Sequence, residues 1–199
     1  MPSVLFVCTG NICRSAFAER LAVRLKEELP EAHPAREWTF TSAGTAGLDG
    51  WPMCPEMESE LVARGGSADG FVAKQVTGTM ARSADLILAL ESVHRAWVLE
   101  EWPALVRRTW LLGQAARVAP TLVNGDAREV PGEGTGEGAR EGAEGGVGGG
   151  GVVDLLAALR EHRDRPLASD GIADPYRLGP AAAATAAAEI EAALRVLLG

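Results

Sequence analysis

The sequence predicts a single α/β domain, a small four-stranded parallel sheet with helices on both faces. Three observations carry that expectation. Short apolar runs rich in β-formers alternate with stretches whose apolar residues recur every three or four positions. One run, residues 85–90 (DLILAL), is continuously apolar after its first residue, as strands buried on both faces are. At 199 residues and 47% hydrophobic content, the chain can bury one good core, whereas two would be cramped.

The elements follow in order. Residues 3–8 (SVLFVC) read as a first strand that stops at Thr9-Gly10-Asn11. Ala16, Phe17, Leu21, Val23, Leu25 and Leu29 then mark a helix ending near Pro30. Residues 38–42 (WTFTS) form a second strand closed by Ala43-Gly44. A helix over 56–64 stops at Gly65-Gly66, where glycine accepts the left-handed cap conformation. Residues 85–90 are the third strand, 91–101 a helix, and 108–112 (RTWLL) the fourth strand. The last helix, 180–198, is apolar at Ile190, Leu194, Leu197 and Leu198. In such sheets ligands bind beyond the carboxyl ends of the strands, and Cys8 stands at one of those ends.

One segment differs in kind. Eleven of the residues 131–151 are glycine and four are glutamate, so almost nothing there can pack or offset the entropy of ordering. The expectation is a flexible insertion at about 121–153 within a domain spanning 1–199. The glycines lack both G-x-G-x-x-G spacing after a strand and a Walker lysine, so they predict no nucleotide site.

The formal charge of −8 excludes a general nucleic-acid binder, which needs a basic face. No stretch approaches the roughly 18 apolar residues of a membrane span, so no membrane partner is expected. Residues 1–7 lack a basic n-region, so no secretory leader is expected either. Cys8, Cys13 and Cys54 are too few for a disulfide scaffold, which favours a reducing, cytoplasmic setting. Cys8 and Cys13 have no second Cys or His pair at ligand spacing, so no metal and no cofactor are expected.

The chemistry concentrates in Cys8-Thr9-Gly10-Asn11-Ile12-Cys13-Arg14-Ser15, where a thiol and a guanidinium stand at the two ends of a short loop. Leaving a strand and entering a helix, such a loop can turn successive N–H groups inward as an anion nest. Gly10 and Asn11 tolerate the positive φ that the curl needs. Arg14 can grip two phosphate oxygens with its planar fork. The same field favours the thiolate form of Cys8, and the Ser15 hydroxyl can hydrogen-bond the sulfur. Taken singly, a strand-end cysteine is usually a small core residue and a helix-opening arginine usually solvated; at this spacing the two point to phosphate chemistry.

The run Val7–Ser15 followed by Ala18-Glu19 resembles the signature of the low-molecular-weight protein tyrosine phosphatases. Supporting similarities are Thr41–Thr45, Ala84–Leu88, His94-Arg95 and Asp174-Pro175-Tyr176, covering nearly all of the chain except 121–153. The resemblance implies a metal-independent hydrolase with a phosphocysteine intermediate. Its catalytic residues would be Cys8 as nucleophile, Arg14 on the phosphate and Asp174 as general acid and then base. Thr9, Gly10, Asn11, Ile12, Cys13, Ser15 and Tyr176 would bind substrate, with Asn11 and Ser42 bracing the loop. Cys13 would trap Cys8 as a reversible disulfide. The implied substrate is a tyrosine-phosphorylated protein, a bacterial tyrosine kinase among the candidates.

The sequence departs from the family at Ala16, where proline is usual, and at Cys54, Phe71 and Lys74. Leu48 or Trp51 would replace a missing aromatic pocket wall opposite Tyr176. Three other functions fit less well. An arsenate reductase needs two further relay cysteines, and only Cys54 lies beyond the loop. Protein-arginine phosphatases tend to carry threonine at the place of Ile12. A phosphoprotein-binding module would need neither nucleophile nor acid.

Overall fold

Ser3–Cys8 (β1), Thr39–Gly44 (β2), Leu86–Ala89 (β3) and Thr109–Leu111 (β4) form one sheet in the order β2-β1-β3-β4, every neighbouring pair parallel. The structure is a computed structural model and describes residues 1–123 and 152–199. The helices are Arg14–Lys26 (α1), Pro55–Ala63 (α2), Gly78–Ser83 (α3), Ser92–Glu101 (α4), Leu112–Val123 (α5), Val152–Glu161 (α6) and Pro180–Leu198 (α7). They cover both faces, because successive strand side chains point to opposite sides. Val4 and Phe6 of β1 face the larger core with Phe17, Leu21, Met57, Leu61, Ile190 and Leu194. Leu5 and Val7 face the smaller one with Ala81, Ile87, Val98 and Leu105. Among the described residues no helix is long and apolar enough to cross a membrane.

The four strands and their parallel order match the expected fold, while several boundaries move. α1 begins at Arg14, not Ala16, and ends at Lys26 rather than near Pro30. β2 takes in Ala43 and Gly44 but leaves out Trp38, which caps a 3-10 turn over Pro34–Glu37. β4 is shorter than 108–112: Arg108 closes a 3-10 turn and Leu112 already opens α5. Three helices have no counterpart in the sequence reading. α3 is a six-residue turn capped by Thr77, whose hydroxyl accepts from the Met80 N–H. α5 follows β4 with no intervening turn residue and carries Pro120 inside it, two features that hide a helix from pattern reading. Thr121–Val123 complete α5 and Val152-Val153 open α6; the rest of the segment read as an insertion, with its glycine string at 131–151, lies outside the described residues.

This topology fixes where a ligand sits. From β1 the chain crosses through α1 to β2 on one side, then returns to place β3 on the other side of β1. The carboxyl ends of β1 and β3 therefore flank the point where the winding reverses, the usual ligand position in an open parallel sheet.

Candidate active site

The loop from Cys8 to Arg14 is held open from outside. The carbonyls of Cys8, Thr9, Gly10 and Ile12 accept hydrogen bonds from the N–H groups of Thr45, Ala46, Leu48 and Cys54, at 2.8–3.0 Å. With its carbonyls engaged outward, the loop keeps its own amides for the inside: among the described residues no N–H from Thr9 to Arg14 donates within the protein. α1 has no side-chain cap either, so its first turn adds unpaired donors and the positive end of the helix dipole. Unpaired amides around one concavity make an anion nest.

Asn11 is the keystone behind the loop. It is fully buried and adopts φ 58°, the left-handed region. Its Nδ2 donates to Ser15 Oγ (2.9 Å) and Ser42 Oγ (2.8 Å), and its Oδ1 accepts from the Lys74 N–H (2.9 Å). Ser42 Oγ in turn donates to Glu19 Oε2. Ser15 Oγ accepts from Asn11 and can offer its own proton to Cys8 Sγ at 2.9 Å, the Ala43 carbonyl being a longer alternative at 3.5 Å. Gly10, by contrast, is not among the positive-φ glycines, and a Cβ there would make ordinary 3.6 Å contacts with Ile12 and Leu48. The curl thus uses Asn11 alone for its left-handed step, correcting the expectation for Gly10.

Arg14 is buried and fastened by three partners. Its Nη1 meets Glu91 Oε2 and donates to the Ile172 carbonyl at 2.8 Å; its Nη2 lies 3.0 Å from Asp174 Oδ2. Its Nε is buried with no hydrogen-bond partner among the described residues, leaving a charged donor for an anion in the nest. Two backbone bonds set these segments beside one another: Leu90 N–H donates to Val7 O (2.9 Å) and Ile172 N–H to Leu90 O (2.8 Å). Asp174 itself is half-exposed, and one of its oxygens accepts from the Tyr176 N–H.

Residues 3–112 match the family model described as low molecular weight phosphotyrosine protein phosphatase. The low molecular weight protein-tyrosine-phosphatase Etp of Escherichia coli K12 is 40% identical over 112 residues, 56% of this chain and 70% of Etp. The chain belongs to the low molecular weight phosphotyrosine protein phosphatase family. Two solved structures of similar fold are the tyrosine phosphatase AmsI of Erwinia amylovora and the arginine phosphatase YwlE of Geobacillus stearothermophilus. AmsI aligns over 98% of this chain and 90% of its own, with TM-score 0.64 and 23% identity. YwlE aligns over 100% and 91%, with TM-score 0.63 and 21% identity.

The family's motif residues converge on one cavity of about 180 Å³, lined by Cys8, Cys13 and Arg14 together with Asp174 and Tyr176. Thr9, Gly10 and Ile12 line it as well, whereas Asn11 and Ser15 work from behind the loop and do not line it. Leu48 and Ala46 line it along with Tyr176; Trp51 is 56% exposed and is not among the lining residues, so of the two candidates Leu48 is the one at the cavity. A larger cavity of about 250 Å³, lined by Arg95, Trp110, Gln114 and His162 among others, contains none of the loop residues. Among the described residues no group of three or more His, Cys, Asp or Glu side chains is placed to hold a metal ion.

Four of the family departures can be placed. Ala16 is buried in α1, Phe71 lies under the Arg20 guanidinium (5.6 Å from its ring centroid), and Lys74 contributes its backbone N–H to Asn11. Cys54 is the fourth, with its Sγ 2.7 Å from that of Cys13. Cys13 therefore has a thiol from outside the loop, that of Cys54, within hydrogen-bond distance.

Two residues of the site have no role assigned from the sequence: Glu91, which no motif singles out, and His94, which enters only as part of a family similarity. Glu91 pins Arg14, and His94 closes the base of the loop. His94 Nδ1 accepts from the Glu91 N–H (3.1 Å), which leaves the proton on Nε2 to be donated to Thr9 Oγ1 at 2.8 Å. Burial, then the Arg14 charge, pushes the His94 pKa down to about 4, so the ring stays neutral and keeps that tautomer. The signal was positional: both follow β3 at its carboxyl end, next to β1.

Proposed function

We propose that this chain hydrolyses phosphotyrosine through a phosphocysteine intermediate, with Cys8 as nucleophile, Arg14 as phosphate clamp and Asp174 as general acid and base. The observation that carries the reading is the meeting of Cys8, the unpaired loop amides and the Arg14–Asp174 pair in one cavity. A phosphoryl group on the nest takes hydrogen bonds from the loop amides and from Arg14 Nε, which stabilise the equatorial oxygens as charge spreads over them. Cys8 Sγ attacks phosphorus as the ester P–O bond breaks. Asp174, drawn off Arg14 by the competing dianion, gives its proton to the leaving phenolate oxygen. In the second step Asp174 takes a proton from water, the water oxygen attacks phosphorus, and Cys8 leaves as thiolate, aided by the Ser15 hydroxyl.

Leu48, Ile12 and Tyr176 line the cavity that holds Cys8 with apolar surface, which suits an aryl ring better than a short aliphatic phosphoester. The relatives Etp and AmsI carry the name tyrosine phosphatase, which supports a tyrosine-phosphorylated protein as partner, a bacterial tyrosine kinase among the candidates. Three free cysteines suit a reducing, cytoplasmic setting.

The test uses aryl phosphates at pH 5–7 without added metal, a range set by the acid and thiolate forms the two steps require. Wild type should turn over and Cys8→Ser should not; an inert wild type removes the proposal. Asp174→Asn should slow aliphatic, poor-leaving-group esters more than activated aryl esters. Equal slowing would take Asp174 out of the acid role.

A further inference from the structure

Neither the Cys13 nor the Cys54 thiol takes part in the phosphoryl-transfer steps, yet their environment is specific. Cys13 caps α1 and lines the cavity beside Cys8; Cys54 caps α2, beneath the cavity wall. The Cys54 N–H donates to Ile12 O at 2.8 Å, so backbone as well as sulfur ties α2 to the loop. Both thiols are buried and their sulfurs are in contact at 2.7 Å, well within reach of side-chain rotation.

The two thiols are not equivalent. Cys54 is held below the ordinary thiol range, first by the hydrogen bond from Cys13 and against the opposing effect of burial, with the Met57 N–H of the helix start adding to it. Cys13 is pushed up, by that same hydrogen bond, by burial and by the Cys54 and Cys8 charges. The shared proton is thus biased towards Cys13, which makes Cys54 the better nucleophile of the two towards an oxidised neighbour.

We propose that Cys13 and Cys54 form a dithiol–disulfide couple, and that an oxidising equivalent from a peroxide reaching Cys8 ends on this pair. The relay rests on Cys8 being the reactive thiolate of the cavity. Its sulfur attacks one oxygen of hydrogen peroxide, the O–O bond breaks, and the released hydroxide leaves as water with a proton taken from solvent. Cys8 is left as a sulfenic acid. Cys13 sulfur then attacks Cys8 sulfur, the S–O bond breaks, and the hydroxyl departs as water with the Cys13 proton. Cys54 sulfur attacks Cys13 sulfur, its proton passing to solvent, the Cys8–Cys13 bond breaks, and Cys8 leaves as thiolate. One peroxide becomes two waters, two thiols become one disulfide, and the nucleophile is returned. A disulfide that rests on Cys8 stops catalysis until an external dithiol arrives; one that rests on Cys13 and Cys54 does not.

The test oxidises the full chain with one equivalent of hydrogen peroxide, alkylates the remaining thiols, and maps tryptic peptides. Expected is a cross-link between residues 1–14 and 37–64, with Cys8 alkylated and two of the three thiols lost. Aryl phosphatase activity should survive largely intact. Cys54→Ser and, as a second variant, Cys54→Ala should show basal activity like wild type. After peroxide they should instead carry a Cys8–Cys13 bridge or sulfinic Cys8, and lose activity. A wild type that bridges Cys8 to Cys13 and leaves Cys54 alkylatable overturns the proposal, as does one whose thiols all remain alkylatable under excess peroxide. Activity of the unoxidised sample keeps this separate from the phosphatase reading: an inert unoxidised enzyme refutes that reading, whatever the peptide map shows.

Discussion

Replacing Asn11 with alanine removes three hydrogen bonds, two of them buried, and leaves a Cβ-bearing residue at φ 58°. Ser15 and Ser42 keep other partners in Cys8 and Glu19, so each lost bond is worth about 1 kcal/mol net. The Lys74 N–H loses its acceptor inside the protein, at about 1–3 kcal/mol for an orphaned amide. Alanine in the left-handed region adds about 1 kcal/mol, since asparagine is the better occupant there. Discounting for shared partners, the sum is about 3–5 kcal/mol, a large part of the stability of an ordinary domain. Asn11→Gly loses the same bonds without the backbone penalty, and should recover about 1 kcal/mol relative to Asn11→Ala. Urea midpoints at constant m measure both. Activity should fall in both variants by about 10²-fold in kcat/KM, since Ser15 and the loop lose their fixed position. Asn11→Ala within about 0.5 kcal/mol of wild type, the noise of ordinary surface substitutions, refutes the keystone role. Equal midpoints for alanine and glycine refute the strain argument.

Other outcomes follow from the same geometry. His94 has a folded-state pKa of about 4 against an ordinary 6.5, so the unfolded chain binds its proton first. Its contribution to stability is therefore complete above pH 6.5 and shrinks as pH falls towards 4, by up to about 3 kcal/mol. Denaturation midpoints from pH 4 to 7 should show that slope in wild type and a flatter one in His94→Gln; parallel slopes contradict it. A methyl added at Gly44 would stand 2.3 Å from Thr9 O and 2.8 Å from the Gly47 Cα. Gly44→Ala should therefore cost about 1–3 kcal/mol and depress activity with it, because the displaced carbonyl belongs to the phosphate loop. An unchanged thermal midpoint would show that β2 and the loop are free to separate.

What could be read from the sequence was whatever depends on local pattern or on one tightly spaced motif. The strand at 3–8, the continuous apolar run at 85–90 and the Cys8–Arg14 spacing each carry their meaning within a few residues. α5 was missed because β4 passes into it without a turn residue, and Pro120 argues against a helix that tertiary packing nevertheless maintains. Glu91, His94 and the Cys13–Cys54 contact join residues far apart in sequence. Nothing in the type of any one of them announces its partner. Gly10 and Asn11 show the limit on a smaller scale: residue type allowed a left-handed step at either, and only the hydrogen bonds to Ser15, Ser42 and Lys74 select Asn11.

The two main-chain bonds from Val7 to Leu90 and from Leu90 to Ile172 have a consequence for chain length. Arg14 and Ile172 touch although 158 positions separate them along the chain. Their spacing is set by hydrogen bonds between strand-end backbone segments, so the approach of the Arg14 and Ile172 segments does not depend on how long the polypeptide between them becomes. Lengthening a connection weakens folding only logarithmically, by about 0.6 kcal/mol per doubling. A change of chain length between α5 and α6 is therefore expected to leave the contact between Arg14 and Ile172 in place.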